Sequence, residues 1–321
     1  MSHVEQPAVS QAERPKHAPY FFNTSGTSEP SRCMNGGVRR LRRILAAISW
    51  LMLSLLFFGL SGSGVTAEVT QEAHLETAVC GSIREPFMFW LWRRTAGSPN
   101  PQRLAQIKDV ERLRFKTRDG IELGGYKLAT TNPRGYLLVA QGNAMLADQL
   151  IWDLQKFRDS GLNVYIFDYR GYGISQGKSR LVAILADYAE IASYLNTLGY
   201  PKRLLYGISM GGVVLLNAVG RSEAYTRLVV DSSPSRISDL GCPERYDPVG
   251  HLPQDSSRLM IISGAQDDVV TPSQMEELIR VAGSRGARIL EDQAFAHPYQ
   301  DSSEVTHLRR HKEVTAFLLQ D

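Results

Sequence analysis

Between residues 110 and 320, short apolar runs are separated by stretches with helical spacing. The segment "ERLRFKTRDGIELGGYKLAT" alternates apolar and polar residues on both sides of Asp119-Gly120, which predicts two antiparallel strands joined at that dipeptide. "GYLLVAQG" reads as a strand and residues 147–160 as a helix; "NVYIFDYRG" reads as a strand and residues 181–198 as a helix. "RLLYG" runs into a helix beginning at Met210, and "RLVVDSS" into an irregular stretch. "RLMIISG" precedes a helix from Pro272, "ARILED" reads as a further strand, and residues 303–319 as a closing helix. This alternation predicts an α/β fold, a doubly wound and mostly parallel sheet with helices on both faces. No repeat or second boundary interrupts residues 109–321, which read as one domain.

Upstream the pattern changes. Arg39, Arg40, Arg42 and Arg43 stand before "ILAAISWLMLSLLFFGL", residues 44–60, which carries no charge. A basic flank followed by an apolar run predicts a signal peptide or a membrane anchor. At 17 residues the run is at the short end for crossing a bilayer, where about 20 are usual. Val65 and Ala67 have the small-residue spacing of a cleavage site, so cleavage and retention stay equally open. Residues 1–43 read as a disordered, basic leader, with Met34 an alternative start. Residues 61–108 read as a linker holding the aromatic segment "PFMFWLWRR". That segment suits either a membrane interface or packing on the domain. The expected location is membrane-anchored or exported.

Charge sharpens this division. Residues 1–67 carry seven Lys/Arg against three Asp/Glu, and the remainder 29 against 30. The folded part is therefore near neutral, which argues against a nucleic-acid partner. Cys33, Cys80 and Cys242 have no metal-ligand spacing. Cys80 and Cys242 could pair in an oxidising compartment, a question that spacing leaves open. No metal cluster, P-loop or dinucleotide fingerprint is evident, and no cofactor is expected.

In a parallel sheet of this kind, ligands bind beyond the carboxyl ends of the strands. Ser209, in Gly207-Ile208-Ser209-Met210-Gly211, falls where a strand ends and a helix begins at once. A G-x-S-x-G turn exposes its serine, and the glycines permit the close approach of strand and helix. A serine hydroxyl needs a base, and the base an orienting carboxylate, in the chain order serine, acid, histidine. "ISGAQDDVVTP" offers Asp267 and Asp268, of which Asp267 is preferred at the G-x-x-D position. Of seven histidines, His3 and His17 lie in the leader and His74 outside the domain, while His251 precedes the acid. His307 and His311 lie in the last helix, where solvated or structural roles are expected. His297 follows the last strand, as the base should. Oxyanion donors are expected from the N–H groups of Met210 and Asn143.

The motifs "QGNA", "FDYRGYGISQG", "GISMGG", "GAQDDVVTP" and "AHP" resemble the α/β-hydrolase fold family. They are similar in particular to its compact serine hydrolases with "HGNAG" and "DYRGYGxSxG", a group that includes protein depalmitoylases. The resemblance covers roughly residues 110–320. Gln141 departs from it, standing where that group commonly has histidine. Asp168, Arg170 and Tyr172 match the second motif and are expected to brace a turn. Only about 25 residues separate "RLVVDSS" from "RLMIISG", too few for a separate helical lid. The resemblance implies hydrolysis of carboxylic esters or thioesters through an acyl-enzyme on Ser209. Two other readings stay open: an acyltransferase using the same triad, and a non-catalytic, membrane-tethered binding scaffold.

Overall fold

A computed structural model describes residues 75–320. The strands are β1 (Val110–Lys116), β2 (Glu122–Leu128), β3 (Gly135–Ala140), β4 (Leu162–Phe167), β5 (Lys202–Ile208), β6 (Arg227–Asp231), β7 (Leu259–Gly264) and β8 (Arg288–Asp292). They form one sheet in the order β1-β2-β4-β3-β5-β6-β7-β8. β1 and β2 pair antiparallel around the Asp119-Gly120 turn, β2 meets β4 antiparallel, and every later pairing is parallel. The expected doubly wound sheet is present.

The helices are α1 (Arg84–Ala96), α2 (Ala147–Asp159), α3 (Leu181–Thr197), α4 (Met210–Val219), α5 (Pro272–Ser284) and α6 (Glu304–Leu319). Strands covered on both faces read as continuous apolar runs, and β3 is buried at all six positions. Its alternate residues serve different cores. Leu138 packs with Leu205, Leu228 and Ile261 against α3, α4 and α5. Leu137 and Val139 pack with Leu204, Val229 and Met260 against α2 and α6.

The apolar run at residues 44–60 and the basic leader lie outside the described residues. Among the described residues, no helix is long and apolar enough to cross a membrane. Residues 84–96, expected within a linker, form α1 and pack on the domain through buried Phe89 and Ala96. Phe89 meets Trp92 and Tyr172 edge to face. Cys80 and Cys242 are joined as a disulfide, tying the approach to α1 to the β6–β7 connection. That connection contains three short 3-10 turns, and no separate lid is present among the described residues.

Candidate active site

β5 ends at Ile208 and α4 begins at Met210, leaving one residue to reverse the chain. Ser209 takes φ 54° and ψ −116°, a conformation that costs a non-glycine residue about 1–3 kcal/mol. Its surroundings explain how the turn is held. A β-carbon on Gly211 would fall on the carbonyl oxygen of Ala140, and one on Gly207 would lie 2.7 Å from that of Gly211. The Ser209 N–H donates to the Asp231 carbonyl at 2.8 Å, and the Ser233 hydroxyl donates to the Ser209 carbonyl at 2.7 Å. Strand, helix and neighbouring strand thus clamp the serine from three sides.

Asp267 follows β7, and its Oδ1 accepts the N–H groups of Val269 and Val270 at 2.9 and 2.8 Å. Its Oδ2 lies 2.9 Å from His297 Nδ1. Burial would raise the carboxyl pKa, but the His297 hydrogen bond and charge, with the two N–H groups, hold it below the ordinary value. An ionised carboxylate only accepts, so Nδ1 donates in this bond and Nε2 is the ring nitrogen left free of it. Asp268 is exposed, which leaves Asp267 as the residue that orients the imidazole.

The loops bearing acid and base are joined by backbone bonds. Ala265 donates to the Asp292 carbonyl at 2.9 Å, and Gln266 to the Phe295 carbonyl at 3.0 Å. Gly264 is required at this crossing, because a β-carbon there would strike the Phe295 carbonyl. Among the described residues, the Ser209 hydroxyl makes no hydrogen bond to His297. Contacts of this kind commonly tighten only with substrate in place.

Met210 opens α4 and its N–H has no acceptor within the helix. Asn143 lies half-buried in the loop after β3, next to Gly142, whose β-position is 3.7 Å from the Ser209 β-carbon. Gln141 is fully buried, and its carbonyl accepts from the Tyr169 hydroxyl at 2.5 Å. The substitution at Gln141 therefore sits in a packed, tethered position beside the elbow.

The second motif braces turns as expected. Asp168 accepts from the N–H groups of Ala147 and Ile174 at 2.8 and 3.0 Å. Burial pushes its carboxyl up to about 6 against the pull of those two donors. Arg170 is buried between Asp119 and Asp187. Sequence reasoning did not find Arg310, a buried side chain of α6. It donates to Asp231 at 2.7 Å, to Asp301 at 2.9 Å, and to the carbonyl of Ala296, the residue before His297.

His307 and His311 are both buried, not solvated, and with Asp153 bring ligand-capable atoms within 4.8 Å of one another. The Lys156 ammonium lies 3.5 Å from the Asp153 carboxylate, so a cation already balances that carboxylate. Burial lowers the His307 pKa, but the Asp153 and Asp301 carboxylates reverse this and raise it. The cluster is an ion-pair network between α2 and α6.

Residues 131–243 match the family described as "Serine aminopeptidase, S33". An uncharacterised membrane protein of Saccharomyces cerevisiae is 26% identical over 207 residues, which cover 58% of this chain and 73% of that protein. The structure of an esterase of Pyrococcus furiosus superposes with a TM-score of 0.55 at 18% identity, covering 70% of this chain and 96% of the esterase. A Xanthomonas campestris protein, described as an α/β serine hydrolase without lid, superposes at 0.52 with 16% identity, covering 66% and 94%. These superpositions show that the chain has the α/β-hydrolase fold.

Proposed function

We propose that the protein is a serine hydrolase of carboxylic esters or thioesters. The observation that carries this reading is the Asp267–His297 hydrogen bond of 2.9 Å, formed at the same end of the sheet as the strained Ser209. Ser209 Oγ attacks the acyl carbon while His297 Nε2 takes its proton. The N–H groups of Met210 and Asn143 receive the oxyanion. Collapse of the tetrahedral intermediate expels the alcohol or thiol, which takes the proton from His297. Water, activated by the same imidazole, then attacks the acyl-enzyme and releases the acid. The short β6–β7 connection holds no separate lid among the described residues, which suits acyl groups presented from a surface.

The proposed location is at a membrane or outside the cytoplasm. The basic flank and apolar run support it, as does the Cys80–Cys242 disulfide, since such bonds persist in oxidising compartments. The test is turnover of a chain-length series of p-nitrophenyl esters and acyl thioesters by the full chain in detergent, with and without added alcohol. Free acid as the product, absent from Ser209→Ala, supports hydrolysis. Transfer of the acyl group to the alcohol in preference to water would assign the same triad to acyl transfer. No turnover of any substrate by folded protein favours the scaffold reading.

A further inference from the structure

α1 carries two unlike faces. Phe89, Trp92 and Ala96 turn toward the domain, with Glu85 buried beside them. On the opposite side Ile83, Phe87, Trp90 and Leu91 are exposed, at 72%, 55%, 48% and 41%. Their spacing of i, i+4, i+7 and i+8 places them in one stripe, and Arg94 continues it at i+11. Phe87 and Trp90 stack with ring centroids 5.8 Å apart, making the stripe a continuous apolar surface. A soluble protein seldom leaves four large apolar side chains together in water without a partner for them.

The position of α1 gives the stripe a purpose. The helix is tied to loops that leave the carboxyl ends of strands. Arg93 donates to the Gly171 carbonyl after β4, and Arg84 to the Gly241 carbonyl after β6. Gln149, in the first turn of α2, donates to the Ala96 carbonyl. Glu85 accepts from the N–H of Leu181 at 2.8 Å, and the disulfide fixes Cys80 to Cys242. Every one of these attachments is on the side of the sheet that holds Ser209, Asp267 and His297. α1 therefore packs at the carboxyl end of the sheet, the end that holds the candidate active site, with its apolar stripe facing away from the domain.

We infer that this stripe docks on a lipid bilayer with anionic headgroups and turns the mouth of the active site toward the membrane surface. This rests on the hydrolase reading only for the purpose of the orientation; the docking itself does not depend on it. Charge and chain connectivity select lipid as the occupant. Arg94 ends the stripe and Arg93 stands beside it, donating to the Gly171 carbonyl, and neither is paired with a carboxylate among the described residues. Aromatic rings beside arginines suit the headgroup boundary, where rings insert and guanidinium groups meet phosphate. Between the apolar run at residues 44–60 and Ile83 lie 22 residues, so a chain tethered by that run would hold α1 close to the same bilayer. Acyl groups anchored in that bilayer would then reach Ser209 without leaving the surface.

Quenching of tryptophan fluorescence by brominated lipids tests this, using the full chain with Trp50→Phe reconstituted in phosphatidylserine-containing vesicles. The inference predicts quenching that is largely removed by adding Trp90→Phe and that weakens with Arg93→Gln plus Arg94→Gln. It also predicts that Phe87→Asp lowers turnover of vesicle-embedded acyl substrate at least tenfold while turnover of a soluble ester is unchanged. Tryptophans that stay unquenched, or quenching that ignores Trp90, overturns it. So does a Trp90 signal that is insensitive to lipid but changes with protein concentration, which would give the stripe to a second copy. A Trp90 signal that depends on residues 44–60 in detergent, without lipid, would give it to that segment and likewise overturn the inference. A chain that docks but turns over no ester leaves the docking standing and rejects the hydrolase reading.

Discussion

Arg310 on α6 and Asp231 at the end of β6 form an ion pair of 2.7 Å with both side chains withdrawn from solvent. The same guanidinium reaches Asp301 and the Ala296 carbonyl, so one side chain connects the central sheet to the loop that carries His297. Removing it leaves a buried carboxylate without its charge partner. Arg310→Met is expected to lower unfolding stability by about 3–5 kcal/mol. Asp231→Asn added to it should recover part of that loss. Urea unfolding of the two variants checks both statements.

The elbow predicts a sharper steric effect. Gly211 approaches the end of β3 so closely that a β-carbon would occupy the position of the Ala140 carbonyl oxygen. Backbone, unlike a side-chain tip, cannot step aside cheaply. Gly211→Ala is expected to destabilise by about 3 kcal/mol or more, while Gly250→Ala, where a β-carbon meets nothing within 4 Å, should leave unfolding nearly unchanged. Thermal denaturation of both variants compares them directly.

Much of this site was legible in the sequence because the fold constrains order and position together. A serine at a strand-to-helix junction, an acid after β7 and a histidine after β8 each follow the carboxyl end of a strand. Asp267 could be chosen over Asp268 from its offset after Gly264, and its bonds to Val269 and Val270 give the physical reason. Arg310 could not be found this way. Its partner Asp231 is 79 residues distant, and nothing local separates it from Arg309, which pairs with Asp292 on the outside of the same helix. The aromatic segment was read as either interfacial or packed on the domain, because neither reading allowed for its two faces. A helix turns neighbouring rings apart, so Phe89 goes inward while Phe87 and Trp90 go outward. Pairing of Cys80 with Cys242, 162 residues apart, also depends on where α1 docks.

Asp301 sets an acid limit on the base loop. Burial alone would raise its pKa, but the nearby His307 imidazole and the hydrogen bonds and charge of Arg310 outweigh this and hold it at about 2, against an ordinary 3.8. A depressed carboxyl contributes stability that is fully present above 3.8 and is lost as pH falls toward 2. Asp301→Asn should therefore be less stable than wild type at pH 6, and the gap should narrow as pH falls from 4 toward 2. Urea midpoints across that range would show the convergence; a gap independent of pH would contradict it.

Asp267→Asn tests the orienting role separately from the fold. The amide keeps the size of the carboxylate but presents a donor where Nδ1–H needs an acceptor. Ester turnover is expected to fall about 10⁴-fold in kcat, as when a triad loses its correct tautomer, with little change in KM. Because Asp267 stays ionised below the ordinary carboxylate range, its own titration should not appear in the wild-type rate profile above pH 4. Steady-state kinetics of both proteins between pH 4 and 9 would measure this.

The central claim is that Ser209 is an activated nucleophile. It is tested most directly by treating the full chain with a fluorophosphonate and locating the adduct by peptide mass spectrometry. The account predicts one adduct, on Ser209, lost in Ser209→Ala and greatly slowed in His297→Ala. Folded wild-type protein that remains unlabelled, or labelling that survives Ser209→Ala, would contradict it.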